Sequence, residues 1–366
     1  MKTITMGSLI FFFGSFIFAG TLLAGGPQPE QSFFENSLHH TGEGMRYWYE
    51  KDDGFMQMTG VPYDNLGCKN CHVKTCDPCH AEKQGDVMAF STEKAKKMET
   101  CFTCHSRESL SMKFDEKANM TDVHFSANMA CADCHEGRDV HGDGKKYTSM
   151  RQKGALDAKC ENCHTPEGEE APEFSMEIKA HQRHGESHHC AACHVQSTMA
   201  CLNCHFGEFL ATGKKKGNFI PTKEWLLLIN YNGKVTSGTA MTFVHKDMKD
   251  AKAKGEPFVV YAPYFTHSVS NKGRDCSSCH GTDASEKMSR GKQQRMSTYK
   301  DGQLDSFDGV VPVVPDLLKW EYLDKMDGKW TILPVEGKVK SQMAGYGTEI
   351  TKEQLKKLAK PQRTKK

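Results

Sequence analysis

The spacing of the cysteines constrains this 366-residue chain more than any other feature. All 16 cysteines fall into eight copies of the pattern Cys-x-x-Cys, and a histidine directly follows every copy. The cysteine pairs are Cys68 and Cys71, Cys76 and Cys79, Cys101 and Cys104, Cys131 and Cys134, Cys160 and Cys163, Cys190 and Cys193, Cys201 and Cys204, and Cys276 and Cys279. The histidines that follow them are His72, His80, His105, His135, His164, His194, His205 and His280.

This pattern is the attachment signature of c-type haem. Two thiols three residues apart can each add to a vinyl group of one porphyrin, and the next side chain then lies beneath the ring, where iron needs a nitrogen ligand. Zinc sites and disulfides are the alternatives, but zinc would favour paired Cys-x-x-Cys units without an invariant histidine, and disulfides require no histidine. The sequence therefore predicts eight covalently attached haems, with the eight motif histidines as proximal iron ligands.

Through these motifs the chain resembles the multihaem c-type cytochromes and is identified as an octahaem member of that superfamily. The run from Asp122-Val-His124 through the motif at Cys131 to His141-Gly-Asp-Gly is similar to segments in which a histidine ahead of the motif ligates a neighbouring haem. We expect a multihaem cytochrome fold, mostly short α-helices and loops around a haem chain, with a small β-rich insert and a β-rich C-terminal extension.

The composition agrees with a core built from cofactor. Only 37% of the residues are hydrophobic and the mean hydropathy is −0.62, so the polypeptide alone is poor in core-forming side chains. The formal net charge of +2 also changes with haem. Eight haems with ionised propionates bring it to about −6 when oxidised and about −14 when reduced, which disfavours nucleic acid as a partner.

Residues 1–26 form a targeting segment. After Lys2 no charged residue occurs before Glu30, and the stretch from Ile4 to Ala24 is mostly Ile, Leu, Phe, Gly and Ala. Such a stretch fits either a secretory signal peptide that is removed or an N-terminal membrane anchor that is kept. Both place the protein outside the cytoplasm, in the periplasm or on the outer surface, which is where cysteines are captured by haem before they oxidise.

Ten histidines lie outside the motifs, enough to give every iron a second imidazole. The pair His181 and His184 is spaced to share one face of a helix and could address two neighbouring irons. For His40, His188 and His189, exposure to solvent is about as good an interpretation as ligation. The predicted distal ligands are His39, His124, His141, His181, His184, His189, His245 and His267.

The chain divides into three segments after residue 26. Residues 27–206 form a haem-dense body with seven motifs, which recur so closely that their porphyrins must lie nearly in contact. Residues 207–280 form an insert in which 225–231 and Asn232-Gly233 predict a β-hairpin and 258–263 predict a strand. Residues 281–366 contain no cysteine or histidine after the eighth motif. In this extension strands are predicted at 310–315, 320–322 and 329–333, and a helix at 354–359 opened by a capping box at Thr351.

Two functional classes remain open from the sequence. Iron with two imidazoles is coordinatively full, so abundant spare histidines favour an electron carrier over an enzyme. Such a carrier would move electrons between a quinol-oxidising membrane complex and a periplasmic or extracellular acceptor in anaerobic respiration, with other cytochromes as partners. The alternative is an octahaem reductase or oxidoreductase that acts on nitrogen or sulfur oxyanions at one haem with an open position. An oligomer or conducting filament is also compatible with the sequence.

Overall fold

The computed structural model of the protein describes residues 33–67, 72–166, 171–204, 217–220, 225–244, 255–326 and 329–362. Of residues 204, 217–220, 325 and 326 it describes only the backbone. The targeting segment 1–26 and the predicted site residues Cys68, Cys71, His205 and His245 lie outside the described residues. Among the described residues, no helix combines the length and hydropathy needed to cross a bilayer.

The motif-bearing part of the chain folds into short helices joined by loops. The longest of them is the twelve-residue helix Ser106–Lys117. The α-helices of the described residues are Leu38–Thr41, Glu43–Glu50, Met56–Thr59, Asp77–His80, Thr92–Lys96, Met98–Phe102, Ser106–Lys117, Val123–Ser126, Cys131–Cys134, Gly137–His141, Lys179–His184, Ala191–His194, Cys276–Cys279, Asp283–Ser289 and Lys352–Leu358. Single 3₁₀ turns cover Tyr63–Asn65, Cys160–Asn162 and Pro315–Leu317.

The strands are concentrated after residue 200. They are β1 (Ala81–Gln84), β2 (Val87–Phe90), β3 (Ala200–Cys204), β4 (Gly217–Ile220), β5 (Leu226–Tyr231), β6 (Lys234–Val244), β7 (Pro257–Pro263), β8 (Gln294–Arg295), β9 (Ser297–Lys300), β10 (Gln303–Ser306), β11 (Val310–Pro312), β12 (Leu318–Lys319), β13 (Leu323–Met326), β14 (Lys329–Ile332), β15 (Lys340–Met343) and β16 (Gly347–Thr348). Eight of them form one sheet with the order β11-β5-β6-β3-β4, in which β7 pairs with β6 and β15, and β16 pairs with β5.

The predicted hairpin is confirmed. Strands β5 and β6 are antiparallel, and the turn between them places Asn232 at φ 49° and Gly233 at φ 76°. Two successive residues with positive φ define the turn that matches the twist of a two-residue hairpin, and asparagine and glycine tolerate it best. The strand predicted at 258–263 is confirmed as β7, which ends at Pro263.

The C-terminal segment joins the same sheet. Strand β11 runs parallel to β5 and β15 runs parallel to β7, while β13 and β14 form an antiparallel pair. The strand predicted at 320–322 is wrong, because these residues link β12 and β13. There the buried Trp320 turns its indole N–H to the hydroxyl of Tyr261 at 2.8 Å, so its aromatic ring fills the core without a place in a β-ladder. The last helix begins two residues earlier than predicted, at Lys352, and its capping box is confirmed.

The protein core lies against the large sheet. Buried Trp225, Leu227, Ile229, Val259 and Tyr261 belong to one cluster that also takes in side chains of the C-terminal strands. A second cluster joins the first helices to the sheet through Tyr49, Met58, Tyr63, Leu66, Phe243 and Phe258. In contrast, Met120, Tyr147 and Ala155 are the only buried apolar residues in the described stretch 72–166. The stretch that carries four complete motifs therefore has almost no core of its own.

Candidate functional site

Six of the motifs adopt one conformation, a single helical turn. In each, the backbone N–H of the histidine donates to the carbonyl of the first cysteine at 2.9 Å. The six turns run from Cys76 to His80, Cys101 to His105, Cys131 to His135, Cys160 to His164, Cys190 to His194 and Cys276 to His280. Because residues three apart on a helical turn lie on the same side, this conformation lets both thiols of a motif reach one group.

The motif that begins at Cys201 is different, because it lies in strand β3. Its register against β4 shifts at Asn203, so that Cys201 is opposite Phe219 while Cys204 is opposite Gly217. Asn203 is the extra residue of this bulge, with φ 48°, and its backbone N–H and side chain bond to strand β6. Positions two apart in a strand share a face of the sheet, so the bulge gives both cysteines register positions on one face.

Five motif histidines each face one histidine from outside the motifs. The separations between ring centroids are 6.0 Å for His80 and His141, 6.1 Å for His105 and His39, 6.0 Å for His164 and His124, 6.2 Å for His194 and His181, and 6.2 Å for His280 and His184. A metal–imidazole bond is about 2 Å long and the ring nitrogen lies about 1 Å from the ring centre, so two imidazoles on one metal are about 6 Å apart. The five pairs therefore have the spacing of paired axial ligands.

The remaining helical-turn motif, Cys131 to His135, lies near His267. Burial lowers the pKa of His267, and the charge of His135 lowers it further. A cavity of about 270 Å³ opens beside His267 and is lined by Phe102, Met112 and Phe125 together with polar side chains. The cavity therefore leaves space beside the imidazole of His267, within a lining whose side chains are mostly polar.

Hydrogen bonds orient most of these imidazoles through the nitrogen Nδ1. The Nδ1 atoms of His39, His124, His135, His164, His181, His194 and His280 each contact a backbone carbonyl or a carboxylate at 2.8–3.2 Å. The strongest case is Asp122, whose carboxylate accepts from the ring and the backbone of His124 and from the backbone of Val269. Engaging Nδ1 leaves Nε2 as the nitrogen for a metal, which is the arrangement that metal-binding histidines use.

The remaining histidines differ in their contacts and burial. His189 contacts the carbonyl of Tyr231 through Nε2 at 3.2 Å, which is the nitrogen that the imidazoles oriented through Nδ1 leave for a metal. His188 lies 4.4 Å from His184 in an edge-to-face contact, and burial lowers its pKa to about 4. That His188 is half-buried was not evident from the sequence, where it is one of two adjacent histidines that no hydrophobic period distinguishes. The Nδ1 atoms of His40, His80 and His267 are buried without a hydrogen-bond partner among the described residues.

Interactions among the thiols indicate a spatial order of the motifs. Hydrogen bonds or electrostatic interactions link Cys79 to Cys101, Cys101 to Cys131, Cys134 to Cys163, Cys160 to Cys190, and Cys193 to Cys276. The second to sixth motifs thus follow one another in space as in sequence. The eighth motif then comes next to the sixth, although the seventh intervenes in the chain.

The residues of these sites fit covalent haem. The paired imidazoles have the spacing of two ligands of one metal, which suits an iron centre. The helical turns let both thiols of a motif reach one group. The motif-bearing stretch 72–166 has little core of its own, which suits a large apolar cofactor. Haem bound there would supply a one-electron redox centre. No protein-family profile, curated protein or solved structure matches this chain.

Proposed function

We propose that this chain is an octahaem c-type cytochrome that carries electrons between a quinol-oxidising membrane complex and a periplasmic or extracellular acceptor in anaerobic respiration. The observation that supports this most directly is the set of five imidazole pairs with centroid separations of 6.0–6.2 Å. Two imidazoles fill both axial positions of an iron, which prevents substrate binding and suits repeated one-electron transfer.

The order of the motifs supports conduction. Thiols of the second to sixth motifs interact in sequence order and those of the sixth with the eighth, so the attached groups would form one row. Such a row needs a donor at one end and an acceptor at the other. The predicted export of the chain, with or without a retained N-terminal anchor, would place it between a membrane complex and other cytochromes or an external acceptor.

The test combines a mass spectrum with low-temperature electron paramagnetic resonance of the oxidised protein. The mass should show eight covalent haems, and at least five of them should give the low-spin signals of bis-histidine iron. The variant His181→Met should raise the reduction potential of one haem, because methionine–histidine iron lies at higher potential than bis-histidine iron.

The matched control is Gln182→Met, which adds a thioether on the same helix at an exposed position. It should leave every potential unchanged. Fewer than eight haems, or high-spin signals from most of the irons, would contradict the proposed function.

The alternative is catalysis at one haem with an open position, as in an octahaem reductase or oxidoreductase that acts on nitrogen or sulfur oxyanions. One observation favours it. His72 has no imidazole among its ring contacts in the described part of the chain, and the hydroxyl of Tyr63 lies against its ring instead. This difference is confined to one motif, so it is compatible with electron transfer through the others.

A further inference from the structure

Two imidazoles of the motif sites hydrogen bond to a carboxylate where others hydrogen bond to a backbone carbonyl. The Nδ1 atom of His124 lies 2.9 Å from a carboxylate oxygen of Asp122, and that of His135 lies 3.2 Å from one of Asp139. His135 belongs to the fourth motif, and His124 faces His164 of the fifth. A backbone carbonyl has this place at His39, His164, His181, His194 and His280.

Backbone N–H groups fix the carboxylate of Asp139 in place. Its side chain is 3% exposed, and it accepts from the N–H of Asp157 at 2.6 Å and from that of Ala158 at 3.2 Å. The nearby guanidinium of Arg138 is closer to Asp143, at 2.9 Å, than to Asp139, at 3.7 Å. The negative charge of Asp139 is therefore offset only in part and stays beside the imidazole.

Asp122 is fixed in the same way. Its side chain is 4% exposed, and it accepts from the backbone N–H of His124 and from that of Val269, each at 2.8 Å. The carbonyl of Val269 in turn accepts from the N–H of Val123 at 3.0 Å. These contacts tie the segment that carries His124 to a distant loop and hold the carboxylate against the ring.

A carboxylate partner changes what an imidazole does for a metal. A hydrogen bond from Nδ1–H to a carboxylate makes the ring a more basic ligand, and such a charge-assisted bond is about twice as strong as a neutral one. Fe(III) carries one more positive charge than Fe(II), so a basic ligand and a nearby negative charge both favour the oxidised iron. A backbone carbonyl, which has no net charge, has a smaller effect.

The sixth motif has the opposite electrostatic environment. Its imidazole pair, His181 and His194, is oriented by backbone carbonyls at 2.8 Å and 3.0 Å. Arg274 donates its backbone N–H to the carbonyl of Cys193 at 3.0 Å. Burial raises the pKa of the Cys193 thiol, and the positive charge of Arg274 opposes this rise. A cation at this motif favours Fe(II) over Fe(III).

We propose that Asp139 and Asp122 act through His135 and His124 to hold the reduction potentials at the fourth and fifth motifs below the potential at the sixth. The inference rests on the proposed function, because it needs covalent haem at these three motifs. The two carboxylates serve neighbouring sites, since Cys134 of the fourth motif interacts with thiols of the fifth. In the partly reduced protein, electrons would therefore collect at the sixth motif, and passing from there to the fifth would be uphill.

The experiment is a redox titration of the wild type, Asp122→Asn, Asp139→Asn and Asp133→Asn, in which nuclear magnetic resonance resolves each haem and assigns it by its contacts with its own motif. In the wild type, the haem at the sixth motif should be reduced before those at the fourth and fifth. Asp139→Asn should raise the potential at the fourth motif and Asp122→Asn that at the fifth, each by about 59 mV, the one-electron equivalent of a tenfold change.

The matched control, Asp133→Asn, removes the same charge from an exposed position inside the fourth motif. Asp133 accepts from the backbone N–H of Ala130 at 2.7 Å and has no hydrogen bond to an imidazole among the described residues. Its replacement should shift the potential at the fourth motif less than Asp139→Asn does. Electron paramagnetic resonance gives a second readout, because the low-spin signal of one haem should change in Asp122→Asn and in Asp139→Asn but not in the control.

Two results would overturn the inference. One is a wild type in which the haem at the sixth motif is reduced after those at the fourth and fifth. The other is a shift in Asp122→Asn and Asp139→Asn no larger than that in Asp133→Asn. The wild-type order decides the question even if a variant does not fold. A haem count below eight in the mass spectrum, or high-spin signals from most of the irons, would instead contradict the proposed function.

Discussion

A buried carboxyl, Asp115, is the clearest titrating group in the helical part of the chain. It is 4% exposed; one oxygen accepts a hydrogen bond from Ser197 at 3.0 Å, and the other has no partner among the described residues. Burial raises its pKa from 3.8 to about 6. The folded protein therefore binds this proton more tightly than the unfolded chain. The stability that results is complete below about pH 4 and is lost as the pH rises through 6.

The variant Asp115→Asn tests the direction of this pH dependence of stability. Asparagine keeps an acceptor for Ser197 and removes the charge, so at pH 7.5 it should raise the free energy of unfolding by about 1–3 kcal/mol. At pH 4 its stability should match that of the wild type, where the carboxyl is already protonated. Denaturant unfolding of the oxidised protein at both pH values measures the effect, with Asp316→Asn at an exposed carboxylate as control. An equal change at both pH values would show that Asp115 does not act through its charge.

At the scale of secondary structure, the C-terminal helix Lys352–Leu358 supports the eighth motif from a distance in sequence. The carbonyl of Lys357 contacts Nδ1 of His280 at 3.1 Å, and that of Leu358 accepts from the backbone N–H of Gly281 at 2.7 Å. At the other end, Gln354 completes the capping box with Thr351 and exchanges two hydrogen bonds with Asn230 of β5. A segment without a Cys-x-x-Cys-His motif thus connects the sheet to a motif histidine.

Removing the cap should weaken this connection. Thr351→Ala loses the hydroxyl that accepts from the N–H of Gln354 at 3.2 Å, and it should lower the free energy of unfolding by about 1 kcal/mol. Thr351→Ser keeps an oxygen in the same place and should stay within a few tenths of the wild type. Thermal unfolding measures the difference. If alanine and serine behave alike, the capping box contributes nothing to stability.

Elements made by local chemistry could be predicted from the sequence, and elements made by distant contacts could not. Asn232-Gly233 specifies its hairpin, and Thr351 with Gln354 specifies a helix start, because the partners are neighbours in the chain. The parallel pairing of β11 with β5, and of β15 with β7, depends on segments far apart in sequence. Residues 320–322 have the composition of a strand but do not form one, because Trp320 and Tyr322 are buried in the core between β12 and β13.

For the whole molecule, the motifs fix which thiols and proximal histidines belong together, but not which distal histidine serves which motif. The helix Lys179–His184 shows what could and what could not be predicted. Its period predicts that His181 and His184 share a face and address two irons, but the partners His194 and His280 come from the sixth and eighth motifs. The contact between the hydroxyl of Tyr63 and Nε2 of His72 could not be predicted either, because Tyr63 belongs to no motif.

The order of the motifs can be tested by a redox trap, a variant that raises one reduction potential in the middle of the row formed by the second to sixth motifs and the eighth. His124 faces His164 of the fifth motif, whose thiols interact with those of the fourth and sixth. If the proposed haem is attached at the fifth motif, the variant His124→Met should raise its reduction potential, so that this haem is reduced first. The added electron should then lower the potentials of its two neighbours by on the order of tens of millivolts through charge repulsion. The haem on His80, three motifs away, should change least.

The control for this trap is His141→Met, which faces His80 at the start of the described row. It should raise the potential of the haem on His80 and lower that of its one described neighbour on the same row, the haem on His105. A redox titration that resolves individual haems by nuclear magnetic resonance compares the two variants. If the two traps disturb the same haems, or if the haem on His280 responds to His124→Met as strongly as the haem on His194, the order inferred from the thiol contacts is wrong. If each trap disturbs only its own neighbours, electrons pass along the row from one motif to the next.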